Sequence, residues 1–210
     1  MSADWLVDGD SDATVDVVLA HGAGAPMDSP FMQRIACGLA ANGMRVIRFE
    51  FPYMAKRRDD GKKRGPDPAS RLLDAYREVV SELDVSRLVI GGKSLGGRMA
   101  SMIADELGVR GLICLGYPFH TPGKPEKTRT AHLETLRTPA LIVQGERDTF
   151  GNRDDVADYA LPVGVELHWI ADGDHSLVPR KRSGLTEDDN LEDAIGAVSA
   201  FIGKLEGEKS

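Results

Sequence analysis

Arg87 to Leu107, RLVIGGKSLGGRMASMIADEL, decides the fold. Leu88, Val89 and Ile90 form an apolar run without polar alternation, as a strand covered on both faces requires. Met99, Ala100, Met102, Ile103, Ala104 and Leu107 then crowd at helical spacing and predict a helix buried on most sides. Between them, Gly92-Lys93-Ser94-Leu95-Gly96 has the G-x-S-x-G spacing of a nucleophile elbow. Such a turn lifts the serine off the end of a sheet, and glycine on each side avoids a Cβ collision across it. The pentapeptide alone is weak, because a chain of this glycine and serine content matches it by chance about 0.14 times. The strand-turn-helix context carries the inference. Against it stands a plainer reading, a tight βα turn whose serine only caps the helix. Two nucleotide readings fail. Arg87 stands where a P-loop needs its first glycine, and Met27 replaces the third glycine of a dinucleotide fingerprint opening at Gly22.

Outward from that stretch, strands are predicted at Val15–Ala20, Arg45–Phe51, Arg87–Ile90, Leu112–Gly116, Ala140–Gln144 and Glu166–Ile170. Helical patterns fill most gaps, at Phe31–Asn42, Ala69–Leu83, Arg98–Leu107, Arg153–Ala160 and Leu191–Leu205. Repeated βα units imply an α/β architecture, a mostly parallel, doubly wound sheet of six to seven strands. In such sheets the ligand site lies beyond the carboxyl ends of the strands. Reactive residues should follow strands, and they do. His175 sits in a glycine-containing loop, Ala171 to Ser176, after the last strand, and is the candidate general base. Asp148 follows ALIVQGER and is the candidate that orients His175 and stabilises its charged form. Asp154 and Asp155 suit the first turn of the next helix, where carboxylates complement the helix dipole. His168 reads as a packed or edge-facing strand residue, while His120 and His132 either line the pocket or are simply exposed.

An oxyanion needs backbone donors. The Leu95 N–H, directly after Ser94, is one candidate. The second is expected from His21-Gly22-Ala23-Gly24-Ala25-Pro26, at Ala23 or alternatively Gly24, with His21 bracing that loop.

The 210 residues suit a single domain spanning 1–210, with a sizeable core. No apolar run of about 18 residues occurs, so no membrane contact is expected, and the acidic start MSADWLVDGD lacks a signal peptide's character. Cys37 and Cys114 both fall in apolar patterns and read as buried small hydrophobes, which points to a reducing cytoplasm. A net charge of −7 argues against nucleic-acid binding. The histidines show no paired ligand spacing, so neither a metal nor an organic cofactor is expected, and the expected partner is a small-molecule acyl substrate. Lys56, Arg57, Arg58, Lys62, Lys63 and Arg64 cluster in a glycine- and proline-containing connection. This is either a solvated mobile loop or an electropositive lip for anionic substrates, joined by Arg180, Lys181 and Arg182.

The order Ser94, Asp148, His175 is that of the α/β-hydrolase superfamily, which the chain resembles from about residue 13 onward. HGAGAPMDS, RFEFPYM, GGKSLGGR, GYPFHTPGKPEK, VQGERDTFG and DGDHSLVPRKRSG more narrowly resemble a largely uncharacterised hydrolase-like family. That family includes a testis-expressed protein and a subunit of the non-specific lethal chromatin complex. The resemblance implies the α/β-hydrolase fold with Ser94, Asp148 and His175 in the triad positions. It implies less about substrate, because some members are better known for interactions than for catalysis. Only about 23 residues separate the fourth and fifth of these predicted strands, where a cap domain often sits. That segment is expected to be an ordered loop plus a short helix at Ala131–Leu136, leaving a shallow, open site. Two functions follow as expectations: a serine esterase acting on ester or thioester bonds, or a hydrolase-fold interaction protein with a blocked site.

Overall fold

A computed structural model of the chain describes residues 5–207. Its strands are β1 (Leu6–Asp8), β2 (Asp16–Ala20), β3 (Arg45–Phe49), β4 (Leu88–Lys93), β5 (Gly111–Leu115), β6 (His120–Thr121), β7 (Lys124–Thr128), β8 (Ala140–Gly145) and β9 (Val165–Ile170). The helices are α1 (Pro30–Ala41), α2 (Pro52–Asp60), α3 (Ala69–Ser81), α4 (Leu95–Leu107), α5 (Arg153–Ala157) and α6 (Glu187–Gly207). Seven strands form one sheet in the order β1-β3-β2-β4-β5-β8-β9, and β6 pairs with β7 apart from it. Every pairing in the large sheet is parallel except β1 with β3.

Two apolar layers explain why the central strands show no alternation. Val18, Ala20, Leu88, Ile90, Leu112, Cys114 and Ile142 pack on one face against side chains of α3 and α4. Val17, Leu19, Val89, Ile113, Leu115 and Val143 pack on the other, against α1 and α6. With both faces covered, each strand residue is buried whichever way it points. From β2 the chain runs through α1 to β3 on one side, and β4 then joins β2 on the other. That reversal opens a crevice at the carboxyl ends of β2 and β4.

Four expectations need correction. The segment after β3 is not a loose loop: residues 52–60 form α2, with Pro52 at its first turn and Gly61 closing it at φ 69° by donating to the Arg57 carbonyl. No helix forms at Ala131–Leu136, where single turns donate from Leu133 to Thr130 O and from Leu136 to Leu133 O. Cys37 is exposed, because the buried stripe of α1 runs through Met32, Ile35, Ala36 and Leu39 and passes it by. The helix after β8 is shorter than expected, ending at Ala157. Cys114 is buried, as expected.

Candidate active site

Ser94 joins β4 to α4 at φ 49°, ψ −107°, a conformation L-residues avoid. Its N–H donates to Leu115 O and its carbonyl accepts from Arg98 N, so the turn is pinned at both ends. The flanking glycines close on one atom. A Cβ on Gly92 or on Gly96 would lie 2.2 Å from the Ala20 carbonyl oxygen at the end of β2.

His175 has farther to travel. β9 lies three strands from β4, about 14 Å at the usual strand spacing, so the loop after β9 crosses the ends of β8 and β5. Two glycines let it pass. A Cβ on Gly145 would meet Asp174 O at 2.3 Å, and one on Gly116 would meet His175 O at 2.8 Å. The buried Asn190 of α6 anchors the same loop by donating to Leu177 O at 2.7 Å. His175 arrives with Nε2 2.8 Å from Ser94 Oγ and Nδ1 2.7 Å from Asp148 Oδ2.

Asp148 is fully buried. Its Oδ1 accepts from the Phe150 N–H at 2.8 Å, and its Oδ2 also accepts from Gln144 Nε2 at 2.9 Å. With acceptors only on the carboxylate, the proton of a neutral His175 sits on Nδ1, leaving the Nε2 lone pair facing the serine hydroxyl. The Phe150 ring packs on the imidazole with centroids 4.2 Å apart. Glu146, two residues before Asp148, is occupied elsewhere, accepting from Asp172 N and pairing with Arg153.

The loop after β2 runs alongside. A Cβ on Gly22 would lie 3.9 Å from Ser94 Cβ. His21 is buried, and its Nε2 accepts from Phe51 N–H at 3.1 Å, so its Nδ1 donates to Gly22 O at 2.7 Å. Burial holds its pKa below the ordinary histidine value, which keeps it neutral. Tyr53, at the start of α2, donates to Ala23 O at 3.0 Å and lies 3.4 Å from Gly22 O. In a trans peptide N–H and C=O point oppositely. Holding those two carbonyls therefore turns the Ala23 and Gly24 N–H groups away from Tyr53. Leu95 is the first residue of α4, where a helix leaves its N–H without an intrahelical acceptor.

A cavity of about 320 Å³ opens over Ser94 and His175, walled by Gly22 to Ala25, Ser29, Phe31, Met32, Lys93, Phe150 and Ser176. Among the described residues, none of the six cluster cations at 56–64 lines it. Arg58 is bound by Glu50 and Asp28, and Arg64 by Asp60, while Lys56 and Arg64 border a separate cavity with Tyr53. Arg180 is held by Asp172. Three of the cations expected to form a lip, Arg58, Arg64 and Arg180, are thus paired with carboxylates, and none of the 56–64 cluster faces the cavity over Ser94. The other histidines are engaged elsewhere. His120 contacts Asp155, itself part of the α5 capping box, and His168 on edge strand β9 contacts Asp193. His132 Nε2 lies 2.8 Å from Ser101 Oγ.

Several participants were not legible in the sequence. Phe150 and Gln144 gave no signal beyond their nearness to Asp148. Gly116 and Gly145, each at the end of a predicted strand, marked where another chain segment passes close.

A doubly covered parallel sheet with a strained serine turn at its switch point defines a class. The chain belongs to the alpha/beta hydrolase domain family, whose model matches residues 13–203. It is similar in fold to an α/β serine hydrolase without lid from Xanthomonas campestris, at 21% identity over 96% of this chain and 88% of that one, TM-score 0.69. It is likewise similar to Est1E of Butyrivibrio proteoclasticus with ferulic acid bound, at 17% identity over 97% and 95% of the two chains, TM-score 0.71. A third likeness is to an alpha-beta serine hydrolase homologue from Coxiella burnetii, at 19% identity over 91% and 88%, TM-score 0.66. No cap domain interrupts the chain between β5 and β8, and among the described residues no helix is long and apolar enough to cross a membrane.

Proposed function

We propose that the chain is a serine hydrolase that cleaves ester or thioester bonds of a small substrate through an acyl-enzyme. The observation that carries this reading is the unbroken line Ser94 Oγ, His175 Nε2, His175 Nδ1, Asp148 Oδ2 beneath an open cavity. Ser94 attacks the carbonyl carbon while His175 Nε2 takes the hydroxyl proton. Asp148 holds the imidazole and stabilises its protonated form. The Leu95 and Ala23 N–H groups receive the oxyanion, each contributing about 3–4 kcal/mol by analogy with other enzymes. The imidazolium gives its proton to the leaving group, and a water deprotonated by His175 then releases the acid.

The half-buried, cavity-lining Ser94 argues against the alternative of an interaction protein with a blocked site. Phe31, Met32 and Phe150 suit a short or aromatic acyl group, and the ferulic acid bound to Est1E supports including aromatic acyl esters in a screen. The narrower kinship with the testis-expressed and chromatin-subunit proteins belongs to this reading too, resting on the sequence stretches that resemble them. The test is a fluorophosphonate probe on wild type, Ser94→Ala and His175→Ala. Rapid labelling of wild type alone is expected; equal labelling of Ser94→Ala, or none of folded wild type, overturns the proposal.

A further inference from the structure

Lys93 immediately precedes Ser94, and its side chain touches both loops that frame the cavity. Its stem runs beside the oxyanion loop, where a Cβ on Gly22 would come 3.4 Å from Lys93 Cγ. Its ammonium donates to the main-chain carbonyl of His175 and lies 5.4 Å from the centre of the Phe31 ring on α1. Gly116 makes room for this contact, since a Cβ there would fall 2.6 Å from Lys93 Nζ. A charged group has been partly withdrawn from water beside the nucleophile, although surface lysines are plentiful elsewhere. Its surroundings explain how it is tolerated. The carboxylates of Asp148 and Asp174 face it, yet burial outweighs them and pulls its pKa down to about 8.

Asn190 anchors the loop to α6 but leaves it unattached to the serine turn. Asp172 and Leu177, on either side of His175, both have positive φ, at 50° and 67°. Internal bonds from Ser176 N and Val178 N to Asp174 Oδ1 shape the loop, but they do not tie it to the serine. Lys93 does, because it is covalently one residue from Ser94 and hydrogen-bonded to the backbone of His175.

Resting on the serine hydrolase reading above, we propose that Lys93 is a positioning residue that locks the His175 loop to the nucleophile turn, fixing the Nε2–Oγ alignment without touching the reacting atoms. A backbone tether acts on turnover and not on substrate affinity. Because it is also a partly desolvated charge, its removal need not cost stability.

The experiment compares wild type, Lys93→Met and Lys93→Arg for kcat and KM on the best ester substrate and for Tm. The Nδ1–H proton resonance of His175 is followed by NMR as a readout independent of turnover. For Lys93→Met we expect kcat to fall at least about 10-fold with KM within about 3-fold, Tm unchanged or raised, and the Nδ1–H signal broadened by exchange. Lys93→Arg, which keeps a cationic donor, should recover most of the loss. Undiminished kcat in Lys93→Met overturns the proposal. So does a rise in KM alone, which would make Lys93 a substrate contact, or a joint fall in Tm and kcat that Arg does not rescue, which would make it structural. Should wild type itself fail to react with the probe, the hydrolase reading falls, and the His175 resonance still decides the tether: a sharp signal in Lys93→Met refutes it.

Discussion

Two serine–histidine pairs stand close together in this molecule, at the same separation and with opposite polarity. Ser94 Oγ and His175 Nε2 are 2.8 Å apart, and so are Ser101 Oγ and His132 Nε2; Ser94 immediately precedes α4 and Ser101 lies about two turns into it. Ser101 spends its only hydroxyl proton on the Arg98 carbonyl, at 2.8 Å. His132 Nε2 must therefore carry a hydrogen and donate it to Ser101, the reverse of a base accepting from a nucleophile. No carboxylate among the described residues hydrogen-bonds to His132, and Tyr117 OH crowds the same nitrogen at 3.3 Å. Ser101 is nearly fully buried inside α4, whereas Ser94 sits at positive φ and faces a cavity. The difference teaches that a serine–histidine distance carries no chemistry until the direction of the proton is known.

The sharpest way to break the comparison is to exchange the outcomes. Ser94→Ala should lower ester turnover by about 10⁴–10⁶-fold, measured in steady state, while Ser101→Ala stays within about 2-fold. Next in size is Asp148→Asn, expected to cost about 10⁴ in kcat. The His175, Gln144 and Phe150 donors all converge on this carboxylate, and an amide must turn its NH₂ toward one of them. A pH-independent loss with intact Tm is the sign of a reversed imidazole tautomer. Tyr53→Phe frees the carbonyls of Gly22 and Ala23 and should reduce kcat about 10-fold, with about 1 kcal/mol of stability lost; a change in KM alone would contradict the oxyanion function proposed for that loop.

For the second pair the expected effects are on stability. Ser101→Ala removes the hydroxyl that joins the Arg98 carbonyl to His132 Nε2, leaving the carbonyl its helical partner, and should cost about 1 kcal/mol by urea denaturation. The smallest effect is with pH. Burial, helped by Arg98, holds the His132 pKa below its ordinary 6.5, and burial does the same to His21. The unfolded chain then takes up protons first as pH falls below about 6.5, so stability present at neutral pH declines on acidification. His132→Gln should flatten that decline between pH 7 and 5.5, and an unchanged slope would remove His132 from the account.

The contrast also marks what the sequence allowed to be read. Strands β2, β4, β5 and β8 were visible because both faces are buried, which leaves continuous apolar runs. The positions of Ser94, Asp148 and His175 followed from strand ends and glycine spacing. β1, with three residues on an antiparallel edge, and β7, wholly exposed in KPEKT, bury too little to leave a pattern. α2 was hidden by its charge, though Pro52 and Gly61 bracket it as start and stop signals. Tyr53 and Lys93 escaped notice for another reason: their roles consist of bonds to distant backbone carbonyls, which no local spacing records.

The Ala20 carbonyl, enclosed between Gly92 and Gly96, has a consequence for how the molecule assembles. β2 and β4 pair with Ala20 opposite Gly92, and a one-residue slip would carry a neighbouring carbonyl and its side chain into that gap while exchanging the residues β2 presents to its two buried layers. The serine turn then has no room to close. If Ser94 is the nucleophile proposed above, its reactivity would serve as a proofreading signal for strand register. Titrating a refolded sample with a stoichiometric probe would count the molecules that joined these two strands correctly, even where bulk helix content cannot tell them from their misaligned siblings.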